Sequence, residues 1–120
     1  MPRVTGIVEL PHAPEALATA RLIVRVEWVG HADARARELG GFTLDAITPR
    51  QRRSGSVSFA IHAAEPQPGE CVIRAHLDVD RSGAVSPGDY VTTEHIAVLT
   101  DRTAGPVRVT LTRVGSRPPG

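Results

Sequence analysis

The chain contains no lysine, a single cysteine and only four aromatic side chains, Trp28, Phe42, Phe59 and Tyr90. Each shortage excludes something. The lone Cys71 rules out an internal disulfide and a zinc–thiolate cluster. With so few aromatics, any core has to be assembled from Val, Ile, Leu and Ala. Charge of one sign is also lacking: the net charge is +1, which gives no general attraction to nucleic acid or anionic lipid. No apolar run approaches the ~20 residues of a membrane-spanning helix. No charged n-region and apolar h-region follow Met1, so the chain as given reads as cytoplasmic, or as exported with a signal segment already removed. The fourteen arginines without a lysine read as the coding bias of a GC-rich genome.

What is present is a pattern of period two. Successive side chains of a strand face opposite sides, so strict alternation marks a strand with one core face and one wet face. Leu22, Val24, Val26 and Trp28 alternate with Arg21, Arg25 and Glu27. Val57, Phe59 and Ile61 alternate with Ser56, Ser58 and His62. Cys71, Ile73, Ala75 and Leu77 alternate with Arg74, His76 and Asp78, and Val107, Val109 and Leu111 with Arg108, Thr110 and Thr112. Weaker strands are expected over 4–10, 42–47 and 90–99. Proline and glycine punctuate the gaps: Pro11 and Pro14, Gly40-Gly41, Pro49, Ser54-Gly55, 66–69, Pro87-Gly88 and Gly105-Pro106.

About seven strands with regular turn signals imply an all-β protein, an immunoglobulin-like or transthyretin-like two-sheet β-sandwich. At 120 residues the chain is large enough to fold without a disulfide or metal. A single domain is expected over 1–114, with a disordered Pro/Gly/Ser-rich tail over 115–120. The Ala- and Arg-rich stretch 31–39 suits a turn or two of helix or an irregular edge strand.

One segment carries chemistry. Residues 78–89 read Asp-Val-Asp-Arg-Ser-Gly-Ala-Val-Ser-Pro-Gly-Asp. An EF-hand loop places oxygen side chains at positions 1, 3, 5, 9 and 12, a backbone carbonyl at 7 and glycine at 6. Those positions are Asp78, Asp80, Ser82, Ser86 and Asp89, with Ala84 at 7 and Gly83 at 6; Val85 takes position 8, usually aliphatic. Calcium prefers six to eight hard oxygens, and a tight turn aims alternate side chains at one centre, so Ca2+ is the expected cofactor. Asp in place of Glu at the last position, Pro87 inside the loop and strand flanks in place of helices set this apart from a true EF-hand. The charge balance, three carboxylates and one arginine, Arg81, places its affinity at roughly 10⁻⁵ to 10⁻³ M. The competing reading is a metal-free turn, because Asp, Ser and Gly also close hairpins by bonding local backbone.

Other reactive residues carry less. Five histidines raise zinc: His62, His76 and His95 lie on wet faces, where two could meet across neighbouring strands, but scattered surface histidines are much commoner than ligands and these read as such. Arg50, Arg52 and Arg53 read as a solvated basic loop. Cys71 alternates with core positions and reads as a small buried hydrophobe. No nucleophile–base set, hydrolase elbow or phosphate loop is visible, so the chain is expected not to be an enzyme.

The order of segments resembles the YbaY/YscW-type lipoprotein family. The likeness rests on Thr5-Gly6-Ile7-Val8, the turn Leu10-Pro11-His12-Ala13-Pro14, the strand from Ala20 to Val29 running into His31-Ala32-Asp33-Ala34, the strand from Val57 to Ile61, the strand Val72-Ile73-Arg74-Ala75-His76-Leu77, and Ala97-Val98-Leu99-Thr100. It spans roughly 4–114 in short, degenerate pieces. The resemblance implies a small β-sandwich; some members are outer-membrane pilotins that help a secretion-ring subunit reach its place. This sequence has no lipidated cysteine near its start, and no functional residue carries over. The 78–89 loop is similar instead to the calcium loops of dockerin-type modules. The expected function is thus a non-enzymatic binding or assembly module for a protein partner, with a structural calcium in that loop. The alternative is a metal-free accessory domain.

Overall fold

The structure, a computed structural model, describes residues 3–29, 36–64, 70–94, 96–98 and 106–115. In chain order its elements are β1 (Arg3–Glu9), α1 (Pro14–Thr19), β2 (Arg21–Trp28), β3 (Arg37–Leu44), α2 (Pro49–Ser54), β4 (Ser56–His62), β5 (Cys71–Asp78), β6 (Tyr90–Val91), β7 (Ile96–Val98), β8 (Val107–Val109) and β9 (Thr112–Arg113). They form a three-stranded sheet, β4-β1-β8, and a six-stranded sheet, β3-β2-β5-β6-β9 with β7 also paired to β5. The expected alternation sets which residues lie between the sheets. Val4, Val8, Val57, Phe59, Ile61 and Val109 from one sheet meet Leu22, Val24, Val26, Ile73, Ala75 and Leu77 from the other in a single buried cluster. The architecture is an all-β two-sheet sandwich.

The described residues hold nine strands where about seven are expected, and two expected strands account for the excess. The stretch after Tyr90 runs antiparallel along β5 but is split. Leu77 pairs with Tyr90 and His76 with Val91, whereas Ile73 pairs with Ile96, so two extra residues are accommodated between β6 and β7. Thr92 fills the gap: its hydroxyl accepts the Ala75 amide at 3.2 Å and its own amide donates to the Ala75 carbonyl at 3.1 Å. The last strand is shared between sheets. β8 runs parallel to β1, and after Thr110 and Leu111 the chain crosses over so that β9 pairs with β6.

Gly40-Gly41 is not the breaker expected from sequence; β3 runs through it. Pairing with β2 shifts by one residue between Val26 and Glu27, which leaves Leu39 as the bulged residue. A Cβ on Gly40 would lie 2.7 Å from the His62 carbonyl oxygen and 2.9 Å from Ile61 Cγ2. The glycine is there because the two sheets close on each other at this corner, where the Ala64 amide donates to Leu39 O at 2.9 Å. Of the 31–39 stretch, the part from Arg37 on is strand and 31–35 lie outside the described residues. The 116–120 part of the expected tail also lies outside them.

Two short helices were not expected. Pro14 and Pro49, read as strand breakers, also open helices, because a first-turn residue has no intrahelical use for its N–H. The Arg50–Arg53 stretch read as a loop is therefore α2. Thr48 and Gln51 form a reciprocal capping box at 3.1 and 2.9 Å, and Gly55, with φ +74°, ends the helix.

Gly6 on β1 tests the inner packing. A Cβ there would strike the Val107 carbonyl oxygen of β8 and sit 2.8 Å from Phe59 Cζ. Gly6→Ala is expected to cost about 1–3 kcal/mol in urea unfolding. Gly115→Ala, with nothing within 4 Å, should stay within about 0.5 kcal/mol of the parent. Equal effects would mean that β1 and β8 do not approach this closely.

Candidate metal centre

The loop after β5 explains itself from the alternation. Leu77 points inward and is fully buried, so Asp78 must point to the outer side of the six-stranded sheet. An open outer face would leave it wet, as expected from sequence. It is instead 0% exposed, because its own loop folds back over it, and Asp89 at the far end of the loop is likewise 0% exposed. The reversal uses left-handed backbone at Arg81 (φ +57°), Gly83 (φ +85°) and Gly88 (φ +94°). Arg81 is the non-glycine among them, and its guanidinium offsets that strain by donating to Asp45 O at 2.7 Å and Thr19 O at 3.3 Å. At the other end the Gly88 amide donates to Val114 O at 2.9 Å, and the Val114 amide to Asp89 O at 2.8 Å. The loop is therefore tied to the α1–β2 junction, to the end of β3 and to the segment following β9.

Four of the six residues expected as calcium ligands are linked by shared hydrogen bonds. The Ser82 amide lies 3.2 Å from both Asp78 Oδ1 and Asp80 Oδ1, and the Gly83 amide donates to Asp78 Oδ2 at 2.9 Å. The Ser86 hydroxyl is 2.8 Å from Asp80 Oδ2 and 3.3 Å from Asp89 Oδ2. Asp89 also accepts the amides of Val79 at 2.9 Å and Ser86 at 3.2 Å. Ser82 and Ala84 are turned to each other: the hydroxyl donates to Ala84 O at 3.0 Å and accepts the Ala84 amide at 3.3 Å. Val85 stands out into solvent, 57% exposed.

A residue outside the expected set completes the group. His76, read from sequence as a wet-face histidine, presents Nε2 to Asp89 Oδ2 at 2.8 Å. Ligand atoms of His76, Asp78 and Asp89 all lie within 4.8 Å of one another, so this group can hold a metal ion. The signal was in the sequence: residues two apart on a strand share a face, and His76 is two before Asp78. His95 lies outside the described residues, and His62 is exposed on the other sheet.

The electrostatics follow from these contacts. The Ser86 and Ser82 hydroxyls, with the Ser82 amide, hold Asp80 at about 2 against an ordinary 3.8. Burial pushes Asp89 up, but hydrogen bonds from His76 and the Val79 and Ser86 amides outweigh it, and its net shift is downward. Both carboxylates are thus held in the charged form a cation requires. Cys71 is buried, and burial together with the neighbouring Glu70 raises its thiol, which fits a core residue and not a nucleophile.

On the outer face beside the loop lies a groove of about 220 Å³, walled by His76, Val85, Val91 and Thr92 and rimmed by Arg25, Glu27 and Arg74. Arg25 and Arg74 stand opposite each other on β2 and β5, and each is neutralised separately, by Glu38 at 3.1 Å and Glu27 at 2.6 Å.

No protein-family model matches the sequence, and no curated protein matches it. Among solved structures, the fold is similar to that of an alternative pilotin from the type II secretion system of Vibrio cholerae, with a TM-score of 0.60 and 17% sequence identity. The superposition covers 94% of this chain and 98% of that chain. At this identity the likeness defines the class by fold: a two-sheet sandwich of the kind an alternative pilotin adopts.

Asp89→Ala leaves the Val79 and Ser86 amides and His76 without their acceptor, and is expected to cost about 1–3 kcal/mol. Folded-state values below the unfolded ones mean that Asp80 and Asp89 contribute fully above the ordinary carboxylate range. That contribution is lost as pH falls through the depressed values, about 2 for Asp80. Carboxyl NMR should place the Asp80 midpoint near 2; a midpoint at the ordinary 3.8 would mean that the serine contacts do not form in solution.

Proposed function

We propose that this chain is a non-enzymatic binding or assembly module, a pilotin-like factor that grips a segment of a protein partner, with a divalent cation pinning the 78–89 loop. The observation that carries the reading is the fold match. It takes in 94% of this chain and 98% of the pilotin. The family resemblance of the segment order points the same way. Fold alone does not assign function, so the reading rests on a partner being found. The direct test titrates the purified chain with segments spanning the secretion-ring subunits encoded in the same genome. Saturable binding to one of them is expected; a folded chain that binds none of them sinks the pilotin-like role.

For the cation, the loop's oxygens suit calcium. Asp78, Asp80, Ser86 and Asp89 supply hard donors from one short loop, and Ser82 and the Ala84 carbonyl join once their mutual hydrogen bonds are released. A metal-free accessory domain is the second reading. One observation favours it: every carboxylate in the loop already accepts hydrogen bonds from backbone or serine. A melt separates the two. At free calcium tenfold to a hundredfold above Kd, binding adds about 1.4–2.7 kcal/mol. The metal-bound reading expects that gain, lost in Asp78→Ala; equal melting in calcium and chelator leaves the metal-free domain.

A further inference from the structure

We propose that His76, Asp78 and Asp89 form a mixed nitrogen–oxygen centre for a first-row transition dication of the zinc class. This rests on the cation half of the reading above and deepens it by naming the metal class. Three observations carry it. The first is the imidazole. The loop spacing supplies oxygens only, but β5 adds a ring nitrogen of His76 within 4.8 Å of ligand atoms of both Asp78 and Asp89, and its Nε2 already meets Asp89 Oδ2 at 2.8 Å. Imidazole suits zinc, copper, iron and nickel, whereas calcium sites are built from oxygen.

The second is buried charge. Among the described residues the side chain paired with it is His76, whose Nε2 lies 2.8 Å from Asp89 Oδ2. Asp78 and Asp89 are both 0% exposed, and among the described residues no arginine pairs with either. Arg81, the arginine of the loop, is turned away to the carbonyls of Thr19 and Asp45. Buried carboxylates are ordinarily paired with a cation or bound to a metal. A dication would bring the pair to neutrality, with the imidazole as its neutral third ligand.

The third is orientation and access. The Ser82 and Gly83 amides fix the Asp78 carboxylate; the Val79 amide fixes Asp89 Oδ1, and the Ser86 amide, at 3.2 Å, fixes Oδ2 where it faces the imidazole. Such outer contacts aim metal ligands before the metal arrives. His76 also walls the outer-face groove, so its side of the centre opens to solvent, where a water can complete a fourth position. Zinc ligands at about 2.0–2.1 Å from a tetrahedral ion lie about 3.3–3.4 Å apart. The present 2.8 Å contact between Nε2 and Oδ2 then opens slightly as the ion comes between the two atoms, any proton on Nε2 leaving to solvent.

The test uses tag-free full chain and isothermal titration with zinc chloride and, separately, calcium chloride. Parent, His76→Gln, Asp89→Asn and His62→Ala are compared, with circular dichroism checking the fold of each. Zinc is expected to bind once per chain. His76→Gln is expected to weaken it more than about 100-fold, beyond the usual effect of an outer-shell change, while His62→Ala leaves it unchanged. In the parent, the His76 Nε2 nitrogen resonance should move on zinc addition, a readout that survives if a variant fails to fold. Zinc binding indifferent to His76, with that resonance unmoved, means an adventitious ion only and overturns the proposal. Calcium binding without zinc binding overturns it and leaves the oxygen-loop reading standing. Binding of neither ion removes both.

Discussion

Two carboxylates without solvent contact, Asp78 and Asp89, set the terms for one end of this sandwich. An enclosed anion has to be met by donors or by a cation, or it neutralises itself. The loop between them is organised around that demand. It bends through left-handed backbone at Arg81, Gly83 and Gly88 so that its amides turn inward, and it is tethered by Arg81 on one side and Val114 on the other. Because Asp78 follows Leu77 on β5, its direction is set by the same alternation that builds the core. The packing of the sheet thus delivers a charged group to the outer face, and the loop converts that face locally into an interior. A loop that only joined two strands would have no need to enclose both ends of itself.

The fold was legible where alternation is strict. β2, β4 and β5 carry the expected inward residues, and the core lies where those residues put it. Legibility failed where one local signal serves two ends. Proline stops a strand and also starts a helix, so Pro14 and Pro49 were read for the first use and have both. For α2 the deciding signal was present in Thr48, Gln51 and Gly55, a cap at each end of the basic segment. Glycine likewise marks a turn or a close approach, and Gly40 serves the second, a contact between sheets that no local window contains. The last strands failed for another reason. Alternation tells which face is buried but not against which sheet, so a segment that changes sheets after Val109 looks like one strand.

The site was legible as a loop and not as a centre. Spacing alone picked out Asp78, Asp80, Ser86 and Asp89, which shared hydrogen bonds link within the loop. It also picked out Ser82 and Ala84, which bond to each other, since a short hydroxyl can always find a carbonyl two residues away. His76 was placed on the correct face and given the wrong surroundings. A strand pattern predicts direction, and solvent is inferred from direction only if nothing folds over that face. The covering element here is the very loop under discussion, so the burial of Asp78 and the contact of His76 with Asp89 are one event.

That event bears on how a sandwich of this size acquires a function. The pilotin whose fold it shares is 17% identical, so the common architecture persists through nearly complete replacement of side chains. In a sandwich the inner face builds the fold, and it is the outer faces and loops that carry binding groups. In this chain the outer face of the larger sheet carries a groove, an exposed Val85 and a titratable cluster within a few residues of one another. His76 belongs to both the groove wall and the cluster. A partner that moves its ring therefore acts on both the groove and the cluster.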